Sequence, residues 1–325
     1  MFYSHLTAAV QWVLLGVLIA LVVATVIVMI MIRRQPERNL RELWLRVRTW
    51  WIIVGLFILA VLLNRGGVLI FFALVSALAL REYLTLVPPR VADWRVHSLL
   101  YGSIPFQYLW IYWEWYGMFI IFIPVYLFLL IPTRLVTMGV TDGFLQSTSA
   151  LHWGLMTTVF SISHAAYLLV LRPGAAPRWP IHGAINDESV LLGAGLLLFL
   201  VLLTELNDIF QYLWGKSLGH YRVAPHISPG KTWAGVLGGV GSTTLLGAIV
   251  GPRLTFMDWQ HSLLAGLLIG VAGFAGDLSI SAIKRDLGVK DSGTALPGHG
   301  GILDRIDSLT YTAPLFFHFV WYGYG

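Results

Sequence analysis

Residues 8–32, AAVQWVLLGVLIALVVATVIVMIMI, decide the fold, because this stretch contains no charged side chain. A helix of roughly 20 apolar residues crosses the hydrocarbon core of a bilayer, so the stretch is long enough to span a membrane. It lacks the basic start and the small-residue cleavage site that a secretory signal peptide carries. The stretch therefore predicts a membrane anchor.

The whole chain has the same apolar character. Of its 325 residues, 57% are hydrophobic and 11% are charged, and the mean hydropathy is +0.76. Soluble domains carry about 25% charged residues, so the composition excludes a large soluble domain. Cysteine is absent, which excludes disulfides and thiolate metal ligands. We predict an all-α fold, a polytopic transmembrane helical bundle of about ten spans with cytoplasmic active-site loops. The predicted spans are 8–32, 50–64, 67–87, 97–113, 116–132, 149–171, 189–214, 233–251, 260–283 and 308–323.

An arginine cluster predicts the orientation of the bundle. It follows the first span and consists of Arg33, Arg34, Arg38, Arg41, Arg46 and Arg48. Basic residues concentrate in cytoplasmic loops, so this segment is expected in the cytoplasm. With ten crossings in all, the loops 215–232 and 284–307 follow the seventh and the ninth span, so both lie on the cytoplasmic side. Losing one span, such as the weakly apolar 98–113, would invert that result.

The charged residues divide the chain into two regions. We predict an N-terminal transmembrane scaffold half, 1–188, and a C-terminal catalytic transmembrane half, 189–325. The connection 172–188 is rich in proline and glycine and is the expected boundary.

One stretch, 281–307, concentrates charge in a chain otherwise suited to lipid. Its charged residues include Lys284, Arg285, Lys290, Asp291, Asp304, Arg305 and Asp307. Upstream, Asp277 lies inside an apolar segment, where a carboxylate is costly without a partner or a metal. Carboxylates suit Mg²⁺, and neighbouring cations neutralise a polyphosphate. Gly298, Gly300 and Gly301 around His299 would let backbone amides approach an anion. The stretch predicts a metal and polyphosphate site.

A second polar loop, Ser228-Pro229-Gly230-Lys231-Thr232, precedes an apolar segment. Thr232 is a candidate N-cap for a helix that begins near Trp233. A helix N-terminus with a lysine and hydroxyl groups beside it suits a phosphate. The loop is not a P-loop, because Pro225 stands where the required glycine would be. Asn207 and Asp208, in the preceding span, add further buried polar groups.

At these residues the chain resembles a known family. The run from Ser281 through Lys284-Arg285, Lys290-Asp291 and His299-Gly300-Gly301 to Asp304-Arg305-Ile306-Asp307 is similar to the signature of the phosphatidate cytidylyltransferases, the CDP-diacylglycerol synthases. Residues 227–235, ISPGKTWAG, are similar to that family's ISPKKTWEG, and depart from it at Gly230 and Ala234. Residues 208–212 resemble its D-x-x-A-Y segment, with Gln211 where a small residue is usual. The resemblance covers the C-terminal third well and the N-terminal half only as generic spans.

The resemblance implies that the cytidylyl group of CTP passes to phosphatidate, giving CDP-diacylglycerol and pyrophosphate. It implies Mg²⁺ held by Asp277 and Asp304, with a second cation as a further option, and metal-assisted in-line attack on the α-phosphorus. It assigns catalytic roles to Asp277, Lys284, Arg285, Asp304 and Asp307. The residues assigned to substrate binding are Asn207, Asp208, Ser228, Lys231, Thr232, Lys290, Asp291, His299, Gly300, Gly301 and Arg305.

The resemblance also implies partners and a location. The expected partners are CTP, phosphatidate, membrane lipids and a second copy in a homodimer, with no nucleic acid. The expected location is the bacterial inner (cytoplasmic) membrane, with the active site facing the cytoplasm.

Other interpretations of the same residues stay open. Asp307 and Arg305 could form an interfacial ion pair, His299 could be a loop histidine without a catalytic role, and Lys284 with Arg285 could anchor a span end. Two other functions also fit intramembrane charge. One is a CTP-dependent lipid kinase of the polyprenol type, whose alcohol acceptor would call for a base. The other is a transporter of an anionic metabolite, which usually has two similar halves.

Overall fold

The computed structural model describes residues 6–35, 40–87, 94–139, 141–174, 177–181, 192–298 and 300–325. In this part of the chain, eleven helices follow one another. They are α1 (Ala8–Arg34), α2 (Arg41–Leu63), α3 (Arg65–Leu86), α4 (Trp94–Tyr112), α5 (Tyr116–Thr137), α6 (Phe144–Val170), α7 (Leu192–Leu218), α8 (Trp233–Leu254), α9 (Trp259–Asp286), α10 (Leu303–Ile306) and α11 (Leu309–Tyr324).

The prediction of an all-α polytopic bundle is confirmed. Among the described residues, eight helices are long and apolar enough to cross a membrane, namely α1, α2, α3, α5, α6, α7, α8 and α9. The other two predicted spans, 97–113 and 308–323, are also helical, as α4 and α11. Helix α11 has 16 residues, which is fewer than the roughly 20 that a perpendicular span needs. The number of crossings therefore stays a prediction.

Local signals explain several helix boundaries. Helices α2 and α3 are separated by Asn64 alone, whose side chain accepts a hydrogen bond from the backbone N–H of Gly67 at 3.0 Å and so caps α3. Such a short connection makes the two helices neighbours. Within α5, Phe122–Leu127 form a π-helical stretch around Pro124, which has no N–H for the helical ladder.

The core lies where α7 and α11 meet the helices of the N-terminal half. Phe119 of α5, Phe199 of α7 and Phe316 and Phe317 of α11 are fully buried there. On α1, by contrast, apolar side chains such as Trp12 are exposed, as expected of a helix that faces lipid.

The loop 215–232 contains a short sheet that the sequence does not predict. Strands β1 (Arg222–Ala224) and β2 (Ser228–Thr232) pair antiparallel, with Arg222 opposite Thr232. At the end of β2, the Thr232 hydroxyl accepts from the N–H of Gly235 at 3.2 Å, which confirms Thr232 as the N-cap of α8. The hairpin therefore delivers Lys231 to the start of that helix.

Close packing also positions the residues around Asp277. A Cβ atom on Gly276 would lie 2.6 Å from the carbonyl oxygen of Asp307, so only glycine lets this segment approach α9 so closely. Asp277, the next residue on α9, is thereby brought beside Asp307 and the start of α11.

Candidate active site

A cavity of about 1000 Å³ lies at the end of the bundle where the predicted site residues meet. Its walls come from α2, α7, β2, α9 and the segment 290–307. The predicted site residues that line it are Asp208, Lys231, Asp277, Lys284, Lys290, Asp291, Gly300, Asp304, Arg305 and Asp307. The structure thus collects acidic and basic groups from three separate segments of sequence in one space.

Lys231 and Asp277 form the first ion pair of the cavity. Lys231 Nζ lies 2.6 Å from Asp277 Oδ2, and each side chain is 19% exposed. Asp277 Oδ1 accepts a hydrogen bond from the Ser281 hydroxyl at 3.2 Å. Burial alone would lower the pKa of Lys231, but its attraction to Asp277 and Asp208 raises that pKa above the ordinary value. Lys231 is therefore a charged group at neutral pH.

Two further carboxylates, Asp208 and Asp307, surround this pair. Burial and the negative charges of Asp277 and Asp208 raise the pKa of Asp307 well above its ordinary value. Asp208 Oδ2 accepts from the Ser308 hydroxyl at 3.0 Å, whereas its Oδ1 is buried and has no hydrogen-bond partner among the described residues. Carboxylates packed this closely, with one oxygen unpaired, fit a site that gains a cation.

Asp304 and Lys284 form a second and more buried ion pair. Lys284 Nζ lies 2.7 Å from Asp304 Oδ1, and the two side chains are 10% and 6% exposed. Asp304 Oδ2 accepts from the backbone N–H groups of Ser292, at 2.8 Å, and Gly301, at 2.9 Å. Burial would raise the pKa of Asp304, but the hydrogen bond from Lys284, together with those from Gly301 and Ser292, lowers that pKa below the ordinary value. As an ionised carboxylate, Asp304 thus holds Ser292 and Gly301 together.

Gly300 makes this arrangement sterically feasible. Its φ of +81° is in the left-handed region, and a Cβ atom there would lie 2.6 Å from Asp304 Oδ2. Gly300 therefore lies directly against the Asp304 carboxylate.

The remaining predicted residues lie elsewhere. Ser228 and Thr232 line a smaller neighbouring cavity of about 360 Å³. Arg285 lines neither cavity and instead joins two loops, since it donates to the carbonyl oxygens of Ile227 and Val289. Asn207 also lines neither cavity, and both ends of its amide are bonded to neighbouring helices, to Gly270 and Thr243.

Gly301 lines neither cavity and reaches the site only through its N–H bond to Asp304. His299 lies outside the described residues.

Helix α2 supplies a wall of the cavity that sequence reasoning missed. Glu42, Arg46 and Trp50 line it. Arg46 Nε donates to the carbonyl oxygen of Gly298 at 3.1 Å, and the Thr49 hydroxyl donates to that of Pro297 at 2.8 Å. The spacing of four residues between Glu42, Arg46 and Trp50 places them on one helix face, which is a signal the sequence does contain.

Glu82 of α3 is a second group that sequence reasoning missed. Its side chain is buried, and its Oε2 accepts from the backbone N–H of Leu303 at 2.9 Å and from the Ser292 hydroxyl at 3.3 Å. Glu82 therefore supports both ends of the segment that Asp304 organises. The division into a scaffold half and a catalytic half stays a prediction, but α2 and α3 both contact the signature segment.

We expect Glu82→Ala to loosen the segment 292–303 and to reduce turnover. A buried N–H that loses its acceptor costs about 1–3 kcal/mol. Hydrogen exchange should show faster exchange in peptides covering 292–304. Glu82→Gln, which keeps one acceptor oxygen, should exchange more slowly than Glu82→Ala. Glu114→Ala, which removes a surface ion pair with Arg65, is the control. Unchanged exchange in Glu82→Ala would contradict this role.

The donor set fits a magnesium ion that also binds phosphate. The described residues contain no group of three or more His, Cys, Asp or Glu side chains that could hold a metal by protein ligands alone. Mg²⁺ usually takes one or two carboxylates together with substrate phosphates and water. Asp277 and Asp304 both line the cavity, and among the described residues Asp304 Oδ1 accepts only from Lys284, which leaves it lone-pair capacity. Their role as metal ligands stays a prediction.

Comparison with known proteins bears on the identity of this site. The sequence profile of the cytidylyltransferase family matches residues 44–323. The uncharacterized protein YnbB of Escherichia coli (strain K12) is 49% identical over 302 residues, which are 93% of this chain and 95% of that protein.

Two named enzymes match over shorter regions. The phosphatidate cytidylyltransferase of Synechocystis sp. is 51% identical over 114 residues, 35% of this chain and 39% of the relative. That of Brucella abortus biovar 1 is 36% identical over 177 residues, 51% of this chain and 65% of the relative. The matches thus span less than two thirds of either enzyme. Because the family profile extends from within α2 to within α11 and so covers most of the chain, this chain belongs to the cytidylyltransferase family and is a nucleotidyltransferase.

Proposed function

We propose that this protein transfers the cytidylyl group of CTP to phosphatidate, giving CDP-diacylglycerol and pyrophosphate. The observation that carries the proposal is the cavity in which Asp208, Asp277, Asp304 and Asp307 meet Lys231 and Lys284. Such a mixture of charges suits a triphosphate and a divalent cation. The choice of phosphatidate as the lipid substrate follows the relatives that are named phosphatidate cytidylyltransferase.

The acceptor phosphate does not need a general base in this reaction. A phosphate monoester has a second pKa near 6, so at neutral pH the lipid phosphate is largely a dianion and already a nucleophile. The requirement is instead to bring two anions together. The basic residues that line the cavity, Lys231, Lys284, Lys290, Arg305 and Arg46, lower that repulsion.

Within this proposal, each group has a role that follows from its contacts. Asp277 and Asp304 would hold Mg²⁺, and Asp208 and Asp307, whose charges interact with each other, would support it. The ion, when bound, neutralises phosphate charge and aligns the phosphoryl groups for in-line displacement. Lys231 lies beside Asp277 and would contact the phosphates directly. Lys290 and Arg305 are exposed on the cavity wall, where they suit the leaving pyrophosphate.

We further propose that the cavity faces the cytoplasm of a bacterial inner membrane. The hydrogen bonds from Arg46 and Thr49 to Gly298 and Pro297 tie the arginine-rich start of α2 to the signature segment, so both lie at one end of the bundle. Arginine-rich loops remain on the cytoplasmic side of the membrane. CTP would then reach the cavity from the compartment where nucleotides are made. We also propose that the protein forms a homodimer.

An assay with labelled CTP tests this function. With cytidine-labelled CTP, phosphatidate and Mg²⁺, we expect label in a lipid-extractable product, and we expect EDTA to abolish it and added Mg²⁺ to restore it. Label from the γ-phosphate in the lipid would instead indicate a lipid kinase. Failure of both labels to enter lipid, together with passage of an anionic solute into liposomes, would indicate a transporter.

A further inference from the structure

The smaller cavity, hereafter the side pocket, adjoins the active site and has its own chemistry. It measures about 360 Å³ and shares Asp208, Tyr212 and Lys231 with the larger cavity. Gln211 of α7 and Ser228 and Gly230 of β2 also line it. Gln211 and Gly230 are both positions at which this chain departs from the motifs that it otherwise resembles.

The orientation of the Gln211 amide follows from its partner. Lys231 Nζ donates to Gln211 Oε1 at 3.0 Å. An ammonium group only donates hydrogen bonds, so the amide oxygen must face the lysine and the NH₂ group must point elsewhere. Gln211 is 4% exposed, and its Nε2 has no hydrogen-bond partner among the described residues. A buried donor without an acceptor costs about 1–3 kcal/mol, so its presence calls for an explanation.

Two glycines, Gly239 and Gly230, determine how much space surrounds the Gln211 side chain. A Cβ atom on Gly239 of α8 would lie 2.4 Å from Gln211 Cγ, so a larger residue at 239 would displace the glutamine. A Cβ atom on Gly230, in contrast, would meet nothing within 4 Å. The side pocket therefore has room for the cation that the resembled motif carries at position 230, but in this chain it presents a neutral buried amide at position 211.

We propose that Gln211 is a specificity-determining residue that donates a hydrogen bond through Nε2 to a substrate oxygen bound beside Lys231. The inference rests on the proposed function for the identity of the substrates. The substrate oxygen that accepts this hydrogen bond belongs to a phosphate or an ester group, and CTP and phosphatidate both contain such oxygens. Lys231 is then held between Asp277 and Gln211. The neutral Gln211 amide takes the place of the second positive charge that the resembled motif carries at position 230.

Two substitutions separate donation to the substrate from support of Lys231. Gln211→Leu keeps the approximate volume and removes both functions. Gln211→Glu keeps an oxygen toward Lys231 but replaces the donor by an acceptor that repels phosphate. We expect both variants to raise the KM of one substrate about three- to tenfold, the worth of one neutral hydrogen bond. A rise for CTP assigns the oxygen to the nucleotide, and a rise for phosphatidate assigns it to the lipid.

A matched control lies on the same pair of helices. Trp214 Nε1 of α7 donates to the Ser242 hydroxyl of α8 at 2.9 Å, outside both cavities. Ser242→Ala removes this contact and should leave both KM values unchanged. If Gln211→Glu equals the wild type while Gln211→Leu is impaired, Gln211 acts only through Lys231 and the inference is overturned. Unchanged KM values in both variants overturn it as well.

Binding measurements keep this test independent of turnover. Binding of CTP with Mg²⁺, and of phosphatidate in detergent micelles, is measured for the purified wild type and the variants. If the wild type makes no CDP-lipid but binds one ligand, and both variants weaken that binding, the proposed function fails and the inference stands. If the wild type is active and neither variant changes binding, the proposed function stands and the inference fails. If the wild type binds neither ligand, both fail.

Discussion

Asp277→Asn is expected to reduce turnover by roughly 10²- to 10³-fold while the protein remains folded, since one well-placed electrostatic group contributes about that much to catalysis. The substitution removes the negative charge that faces Lys231 at 2.6 Å and that we propose as a magnesium ligand. Lys231 retains its hydrogen bond to Gln211, so the local structure should persist. The labelled-CTP assay measures the loss, and the thermal unfolding midpoint in detergent checks the fold.

The end of the same helix provides the control for this substitution. Asp286 is exposed near the end of α9 and does not line the cavity. Asp286→Asn makes the same chemical change and should leave turnover close to that of the wild type. Wild-type turnover in Asp277→Asn, with its dependence on Mg²⁺ unaltered, would remove Asp277 from the proposed metal site.

Asp304→Asn is expected to impair both stability and activity. The change leaves Lys284 buried without a counter-ion, and breaking a buried pair by removing one partner costs about 3–5 kcal/mol. The segment that Asp304 holds through the N–H groups of Ser292 and Gly301 should also lose order. Chemical denaturation in detergent measures the free energy of unfolding, and the labelled-CTP assay measures activity.

A double substitution distinguishes structural from catalytic loss at this pair. Asp304→Asn combined with Lys284→Met removes both charges, so much of the lost stability should return, because no buried cation remains unpaired. Activity should stay low, because both groups line the active-site cavity. Recovery of activity together with stability would mean that the pair serves only the fold. If Asp304→Asn alone were as stable as the wild type, the structural role of the Asp304–Lys284 pair would be contradicted.

The predictions that succeeded from sequence rest on short-range patterns. Hydropathy over about twenty residues located the helices, and Thr232 before an apolar run correctly predicted the N-cap of α8. A carboxylate inside an apolar segment also singled out Asp277, which lines the cavity, whereas its metal and catalytic roles stay predictions. The motif that includes Gly300 and Asp304 was recognisable because its residues are close together in sequence.

The site components that sequence analysis missed depend on contacts between distant segments. Glu82 bonds to the N–H of Leu303, which lies 221 residues away, and nothing around Glu82 in the sequence indicates that partner. Arg46 belonged to a cluster that predicts orientation, and its contact with Gly298 crosses 252 residues. Asn207 is the opposite case, a residue predicted for substrate binding whose side chain bonds to α8 and α9, while its neighbour Asp208 lines the cavity.

The sequence by itself determined that this chain is a helical membrane protein, and it indicated two polar loops and Asp277 as the place of the proposed chemistry. Hydropathy and motif spacing are properties of neighbouring residues, so they can be read without coordinates. Only the tertiary structure decided which charges meet, pairing Lys231 with Asp277 and Lys284 with Asp304. It also turned Gln211 toward Lys231 and placed α2 over the cavity. Such pairings depend on how α7, α8 and α9 pack and on where glycines let the backbone approach, and no local pattern encodes that geometry.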